Sequence, residues 1–417
     1  MVGATAMPEH RPSLVSWNLT RKCNLRCPHC YLDAGKAAAR ELDTAECLDL
    51  VDELAGLGTE MLILTGGEPL LRRDIHEIAR RAGEHGIWVV MGTNGVLVND
   101  RVAKTMVECG VRGVGISIDS IDPDRHDAFR RGGRRDFARV RIAGKSAWEH
   151  SMKALETCRR HGLEVLVQST VTEENREEVP ELLELAREKG AWSFNLYFLV
   201  PTGRGETMTE LGPIETEKTL RNLARWQEKY RPMLVRAKCA PQFKRIAYEE
   251  GLAGLDSGGC MAGTEYCRIT PEGDVTPCPY MTPVAGNVLE SGFGTIWQES
   301  PLLRSLRDPE GLGGRCGACE YRELCGGCRC RAYARTGDVL AEDPACPYEP
   351  EGGKLVSLPL TWEENARQRL ERIPIAFIRR KVEEGTEAYA RRHRLRRVTE
   401  EVMDAAIQGS GRGFPGS

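Results

Sequence analysis

The segment RKCNLRCPHCY, residues 21–31, contains the cysteine motif from which we predict the chemistry and the fold of this chain. Its three cysteines, Cys23, Cys27 and Cys30, follow the spacing C-x3-C-x2-C. Three thiolates so close in sequence can hold three corners of a cubane 4Fe–4S cluster, but they leave the fourth iron without a protein ligand. An open metal position is a feature of a catalytic site rather than of a structural one. The spacing therefore predicts a cluster with one iron free to bind a small molecule.

A second motif, Gly66-Gly67-Glu68-Pro69, follows the apolar run Met61–Leu64. A cysteine loop after the first predicted strand and this turn after the second together resemble the radical S-adenosylmethionine (SAM) enzymes. For the cysteines alone, the alternative is a zinc knuckle. The resemblance implies that SAM binds the open iron and is cleaved reductively to a 5′-deoxyadenosyl radical, which abstracts a hydrogen atom from a substrate.

The same resemblance implies a SAM pocket around these motifs. The turn formed by Gly66, Gly67, Glu68 and Pro69 would bind the amino group of SAM, because glycines allow close approach of the backbone. Asn94, in the Thr-Asn-Gly sequence after the third predicted strand, borders the pocket in this family, and a plain turn is the alternative.

Further pocket residues are implied at the ends of later strands. Ser117 and Asp119, in the sequence GISIDS, would bind the ribose, and the alternative is a strand-end cap. Ser169, in VQSTVT, is a candidate of the same type. His29 would stack near the adenine rather than bind iron.

Composition limits the class of protein. The 417 residues suffice for two or three domains, and a net charge of −3 gives no indication of nucleic-acid binding. No apolar run approaches the length of a transmembrane helix, and the first residues lack a signal-peptide pattern, so we expect a cytoplasmic protein. In that compartment the 16 cysteines are expected to be reduced, and their clustering favours metal binding.

Short apolar runs alternate with helical stretches from residue 13 to about residue 200. This alternation predicts βαβ units, and hence an α/β fold with a partial (β/α)6 barrel of the TIM type. Chemistry in barrels lies at the C-terminal ends of strands, where both motifs fall. The predicted strands are Leu14–Leu19, Met61–Leu64, Trp88–Met91, Gly113–Ile118, Val165–Val171 and Phe194–Val200.

A second field of nine cysteines occupies residues 260–346 and resembles a SPASM domain, which holds two auxiliary 4Fe–4S clusters. The order of the cysteines in that family implies one cluster on Cys260, Cys267, Cys278 and Cys328, and another on Cys316, Cys319, Cys325 and Cys346. Together with the SAM cluster this makes three clusters. Cys330 is the alternative to Cys328, and zinc is the alternative metal. Cys239 stands apart and is interpreted as a small buried hydrophobe.

The chain is thus predicted to comprise a barrel (residues 1–235), a SPASM domain (236–350) and a helical C-terminal domain (351–417). The last is similar to the C-terminal helical domain of protochlorophyllide reductase subunits, with a simple packing appendage as the alternative. The arginine-rich stretch Arg130–Arg141 is predicted to be an insertion at the barrel mouth, either solvated or facing an acidic substrate.

The sequence also resembles the heme and dioneheme biosynthesis branch of the SPASM enzymes. This implies oxidation or decarboxylation of tetrapyrrole side chains, with electrons from an external donor such as ferredoxin or flavodoxin. One alternative is a maturase of a ribosomally synthesised peptide, and another is a non-enzymatic electron carrier. Tyr197 and Arg204, near the end of the sixth strand, are expected to face the reaction site.

Overall fold

The computed structural model describes residues 10–131, 146–252, 259–356, 360–374, 376–393, 395 and 397–409. Most of the predicted insertion after Arg130 therefore lies outside the described residues.

Seven parallel strands form the barrel sheet, each hydrogen-bonded to the next along the chain. The partial barrel predicted from the sequence is confirmed, and a seventh strand extends it. The strands are β1 (Leu14–Asn18), β2 (Met61–Thr65), β3 (Trp88–Thr93), β4 (Val111–Ser117), β5 (Glu164–Val171), β6 (Ser193–Phe198) and β7 (Leu234–Lys238). The helices are α1 (Thr44–Gly56), α2 (Ile75–Glu84), α3 (Asp100–Glu108), α4 (Pro123–Arg131), α5 (Ala147–Arg160), α6 (Val179–Glu188) and α7 (Pro213–Lys229).

Alternation along the strands separates an apolar layer from a polar interior. Val15 and Trp17 of β1 pack with Leu62 of β2 and Ile116 of β4 in the layer between strands and helices. Because successive side chains of a strand point to opposite faces, the residues between them face the barrel interior. Burial of the apolar layer stabilises the barrel at about 25 cal/mol per Å² of apolar surface removed from water.

The cysteine-rich segment continues the barrel sheet on its other side. Strand β8 (Tyr266–Ile269) pairs in parallel with β1, and β9 (Asp274–Thr276) and β10 (Gly286–Asn287) follow as antiparallel neighbours. The two segments therefore share one ten-stranded sheet. The accompanying helices are α8 (Phe243–Glu249), α9 (Val288–Ser291), α10 (Phe293–Glu299), α11 (Pro301–Arg307), α12 (Gly314–Ala318) and α13 (Arg329–Thr336).

The C-terminal segment forms a small unit with its own apolar cluster. Strands β11 (Thr361–Trp362) and β12 (Arg397–Val398) pair in parallel, beside helices α14 (Glu364–Glu371), α15 (Ala376–Arg392) and α16 (Glu400–Gly409). Leu370, Val382 and Met403 belong to the apolar cluster that joins these helices. Among the described residues, no helix has the length and apolar character that a membrane span needs.

Helix α7 offers a matched test of the apolar layer. Leu220 is 0% exposed in the layer, whereas Ile214 of the same helix is 69% exposed. We expect Leu220→Ala to lower the free energy of unfolding by about 2–5 kcal/mol, because it leaves a cavity. Ile214→Ala should change it by less than about 0.5 kcal/mol. Urea unfolding followed by circular dichroism measures both, and equal effects would contradict the assigned packing.

Candidate functional site

The ends of β1 and β2 are joined backbone to backbone beside the cysteine loop. The amide of Gly67 donates to the carbonyl of Thr20 (2.7 Å), and the amide of Glu68 donates to the carbonyl of Lys22 (2.7 Å). Cys23 follows directly. The glycine-rich turn therefore holds the backbone that leads into the cysteine loop.

This close approach explains the two glycines. Gly66 has φ of +139°, and a Cβ atom there would lie 2.6 Å from the carbonyl oxygen of Thr20. A Cβ atom at Gly67 would lie 2.1 Å from the carbonyl oxygen of Lys22, closer than atoms can pack. In the structure the glycines thus admit the protein's own backbone, in addition to any ligand.

Glu68 is fully buried and ties the turn to the end of β3. Its carboxylate accepts hydrogen bonds from the Thr93 hydroxyl (2.8 Å) and the Asn94 amide (3.0 Å). Burial raises the pKa of Glu68 to about 7, although these hydrogen bonds oppose the shift. Pro69, next in the chain, is buried at the start of a short 3-10 turn. Glu68 is therefore a structural brace in this arrangement.

Asn94 connects the third strand end to the cysteine loop. Its side-chain amide donates to the side-chain oxygen of Asn24 (2.7 Å) and lies 4.0 Å from the sulfur of Cys23. The Asn94 side-chain oxygen accepts from the amide of Val96 (3.0 Å), so the residue also shapes its own turn.

The three loop cysteines carry free thiols that are close enough to interact electrostatically with one another. Burial raises the pKa of Cys23 to about 12 and also raises that of Cys27. Backbone amides point at two sulfurs, from Leu25 to Cys23 (3.4 Å) and from Ala34 to Cys30 (3.5 Å). Amides directed at sulfur suit bound thiolates.

Arg204 anchors the loop from the end of β6. Its guanidinium donates to the carbonyls of Cys27 (2.8 Å) and Ala34 (2.9 Å) and pairs with Asp33 (2.7 Å). It therefore acts on the backbone of the loop.

This loop fits an iron–sulfur cluster by its donor set. In the described ranges, no three His, Cys, Asp or Glu side chains are arranged to hold a single metal ion. Three free thiols on one loop, two of which receive backbone amides, match the thiolate ligation of Fe–S clusters.

The candidate residues at the ends of β4 and β5 point to different faces of the barrel sheet. Ser117 faces the barrel interior, beside Gln168 on β5. Ser169 is 1% exposed and shares the helix-facing side with Val167 and Val171, so it points away from the interior. Gln168, which the sequence reasoning did not select, occupies the interior position.

Asp119 is enclosed and ion-paired. Its carboxylate lies 2.5 Å from the guanidinium of Arg130 and accepts from the amide of Thr170 (2.8 Å). Arg130 also interacts with the thiol of Cys27. The ring of His29 stacks on Phe129 of the same helix, with 4.4 Å between ring centroids. Helix α4 thus packs directly over the cysteine loop.

Four cysteines of the second field line one pocket, and we refer to them as the outer cysteine group: Cys316, Cys319, Cys325 and Cys346. As in the cysteine loop, backbone amides donate to sulfur atoms here. The amide of Gly327 donates to Cys325 (3.4 Å), and the amide of Asp343 donates to Cys316 (3.4 Å). This set matches the sequence-based grouping.

Five further cysteines pack together as an inner cysteine group: Cys239, Cys260, Cys278, Cys328 and Cys330. The sulfurs of Cys328 and Cys330 are 3.2 Å apart, and the Cys330 thiol also contacts those of Cys239 and Cys278. Cys239, just after β7, has a φ of +60°, which is uncommon for a residue with a side chain. Its carbonyl accepts from the buried Arg331 (2.9 Å).

The structure does not bring Cys267 into either group. It lies on β8, in register with Val15 of β1, and is 0% exposed in the apolar layer. Burial is the main effect on its thiol and raises the pKa of Cys267. Strand alternation explains the difference, because Tyr266 and Arg268 take the interior face and leave Cys267 on the other.

Asp343 joins the two groups. It accepts from the amide of Cys328 (2.8 Å) and from Gln242 (2.8 Å), while its own amide donates to Cys316. The spacing of the cysteines contains no signal for this bridge. From the sequence, Cys330 was the alternative to Cys328 as a ligand, and Cys239 was interpreted as a small buried hydrophobe.

The barrel interior between the cysteine loop and the inner group is lined by tyrosines. The rings of Tyr31 and Tyr280 lie 5.1 Å apart, and both residues interact with Cys278 and Tyr197. Tyr197 therefore lies where the sequence placed it, facing the region between the two thiol sites.

Three family descriptions match this chain. Residues 17–186 match the radical SAM superfamily, and residues 260–329 match an iron–sulfur cluster-binding (SPASM) domain. Residues 362–406 match the proto-chlorophyllide reductase 57 kD subunit.

Similar proteins share most of this length. An AdoMet-dependent heme synthase of Methanosarcina barkeri is 39% identical over 352 residues, which cover 81% of this chain and 97% of that protein. The mycofactocin maturase MftC of Mycolicibacterium smegmatis is 32% identical, over 80% of this chain and 82% of its own. SuiB of Streptococcus suis, whose crystal structure contains S-adenosylmethionine, matches with a TM-score of 0.65 at 16% identity, over 81% of this chain and 78% of its own. The chain belongs to the radical SAM superfamily and carries a SPASM domain.

Proposed function

We propose that this enzyme cleaves SAM reductively and uses the radical to decarboxylate or oxidise a side chain of a heme-type tetrapyrrole. The observation that carries the proposal is the 39% identity to an AdoMet-dependent heme synthase over 97% of that protein's length. The match of residues 362–406 to a protochlorophyllide reductase subunit adds a second link to tetrapyrroles.

Cys23, Cys27 and Cys30 would hold the SAM cluster. The backbone of the Gly66–Pro69 turn would bind the amino group of SAM. The Glu68 carboxylate would keep this turn in place through its hydrogen bond from the backbone amide of Asn94. Ser117 and Gln168 would face the adenosyl group from adjacent strands. Asp119 would act through Arg130, because Arg130 pairs with it and also interacts with the thiol of Cys27.

The bound cluster and SAM supply one electron and the radical that abstracts hydrogen. The chain's own residues would orient a propionate so that its β-carbon gives up one hydrogen atom to the 5′-deoxyadenosyl radical. The carboxylate would then leave as carbon dioxide, a vinyl group would form and one electron would pass to an acceptor. The barrel and helix α4 would exclude water from this region, which protects the radical.

We assign the electron acceptor to the inner cysteine group, whose Cys278 interacts with Tyr31 and Tyr280 of the tyrosine-lined interior. Four of its five thiols would hold one auxiliary cluster, with Cys239, Cys260 and Cys278 joined by Cys328 or Cys330. The outer group would hold the other. An external donor such as ferredoxin or flavodoxin would supply electrons for SAM cleavage.

A pair of alanine variants tests the revised ligand set. The reconstituted protein should hold about twelve irons, four for each of three cubanes. Cys239→Ala should lower this number by about four or weaken that cluster's Mössbauer signal, because a ligand is lost. Cys267→Ala should retain every iron, since this thiol lies in the apolar layer. Loss of iron in Cys267→Ala with retention in Cys239→Ala would restore the order-based assignment.

The substrate class is tested by anaerobic turnover. With dithionite and SAM, iron-coproporphyrin should raise 5′-deoxyadenosine formation and lose mass as carbon dioxide. Cys27→Ala should abolish SAM cleavage, whereas Cys109→Ala should not, because Cys109 is buried in the apolar layer. A rate of SAM cleavage that is unchanged by the porphyrin would contradict the tetrapyrrole proposal. Absence of SAM cleavage would favour an electron carrier.

The second candidate is a peptide maturase. The 32% identity to a mycofactocin maturase, over 82% of that protein, favours it specifically. A precursor peptide encoded nearby, modified in the same assay, would establish this function instead.

A further inference from the structure

Arg268 is a buried cation with an unfilled donor. It is 8% exposed on β8, between Cys267 and Ile269 of the apolar layer, so it faces the barrel interior. Its guanidinium donates to the carbonyl of Pro279 (3.0 Å), and its Nε atom has no partner among the described residues. Tyr31, Tyr266 and the thiol of Cys278 act on its charge, and the carboxylate of a ligand would add a full counter-charge.

Lys238 is a second cation to consider, and it is half-buried. It ends β7 in register with Tyr197 of β6. Burial and then the charge of Arg236 lower the pKa of Lys238, while the thiol of Cys239 raises it. Within the described ranges, no carboxylate forms an ion pair with Lys238 or Arg268.

Tyrosines fill the space around these two cations. Arg268 interacts with Tyr31 and Tyr266, and Lys238 is paired across the strands with Tyr197. Tyr31 and Tyr280 lie with their ring planes at 57°. Aromatic side chains offer large apolar faces to a flat ligand, while the cations attract its acidic edge.

We propose that Arg268 and Lys238 bind two carboxylates of a flat, polycarboxylate substrate whose ring lies among these tyrosines. The inference rests on the proposed function and names the side chains that would select its substrate. Arginine suits this role because its planar guanidinium binds a carboxylate through two parallel hydrogen bonds.

The test measures binding of iron-coproporphyrin to the reconstituted holoenzyme with SAM, by the shift of its visible absorption. Arg268→Gln should weaken binding about tenfold or more, because a charge-assisted contact is lost. Lys238→Gln should weaken it in the same direction, and Arg268→Lys should bind with intermediate affinity. Arg225→Gln is the control, because this residue of α7 is exposed, and the variant should bind like the unchanged protein.

A second measurement separates ligand binding from support of the inner group. The methyl ester of the porphyrin should bind the unchanged protein and Arg268→Gln equally, because it lacks the carboxylates. Iron content and electron paramagnetic resonance signals should be the same in both proteins. Equal binding of the free acid by both, or loss of cluster signals in Arg268→Gln, overturns the inference while leaving the proposed function standing. Failure of the unchanged protein to bind the porphyrin overturns both.

Discussion

The backbone contact between the Gly66–Glu68 turn and residues 20–22 is the constraint on which the site depends. Two amides of the turn donate to Thr20 and Lys22, so the ends of β1 and β2 form one rigid platform. The cysteine loop begins on that platform, and Glu68 extends it to Thr93 and Asn94 at the end of β3. Three strand ends are thereby fixed relative to three thiols. A loop held in this way needs little rearrangement to receive a cluster.

Buried arginines close the site from the remaining sides. Arg204 holds the backbone of the cysteine loop from the end of β6, and Arg130 joins it to Asp119 at the end of β4. Arg331, on the SPASM side, reaches the carbonyl of Cys239 and pairs with Glu210 (3.0 Å). Arg130 and Arg331 lie beside thiols that would become anionic on binding iron. Their burial is therefore compensated in the loaded protein, where charges of both signs are present.

Much of the barrel was predictable, because its strands are short apolar runs with helical patterns between them. All six expected strands form, and both motifs lie at strand ends as expected. The seventh strand, Leu234–Lys238, was missed because its polar residues Arg236 and Lys238 weaken the apolar pattern. The role of Glu68 was also missed, since the reach of its carboxylate to Asn94 spans 26 residues.

By itself, the sequence determined the class of chemistry. Cys23, Cys27 and Cys30 are close together in sequence. They could therefore bind one metal cluster in any fold that leaves the loop accessible. The outer cysteine group could also be predicted, because most of its cysteines lie close together along the chain. Only the tertiary structure decided the inner group. Cys267 follows Cys260 closely in sequence, yet β8 turns it into the apolar layer, while β7 delivers Cys239 from another strand. Which face of a strand a residue occupies depends on how the sheet is assembled, and cysteine order does not encode that.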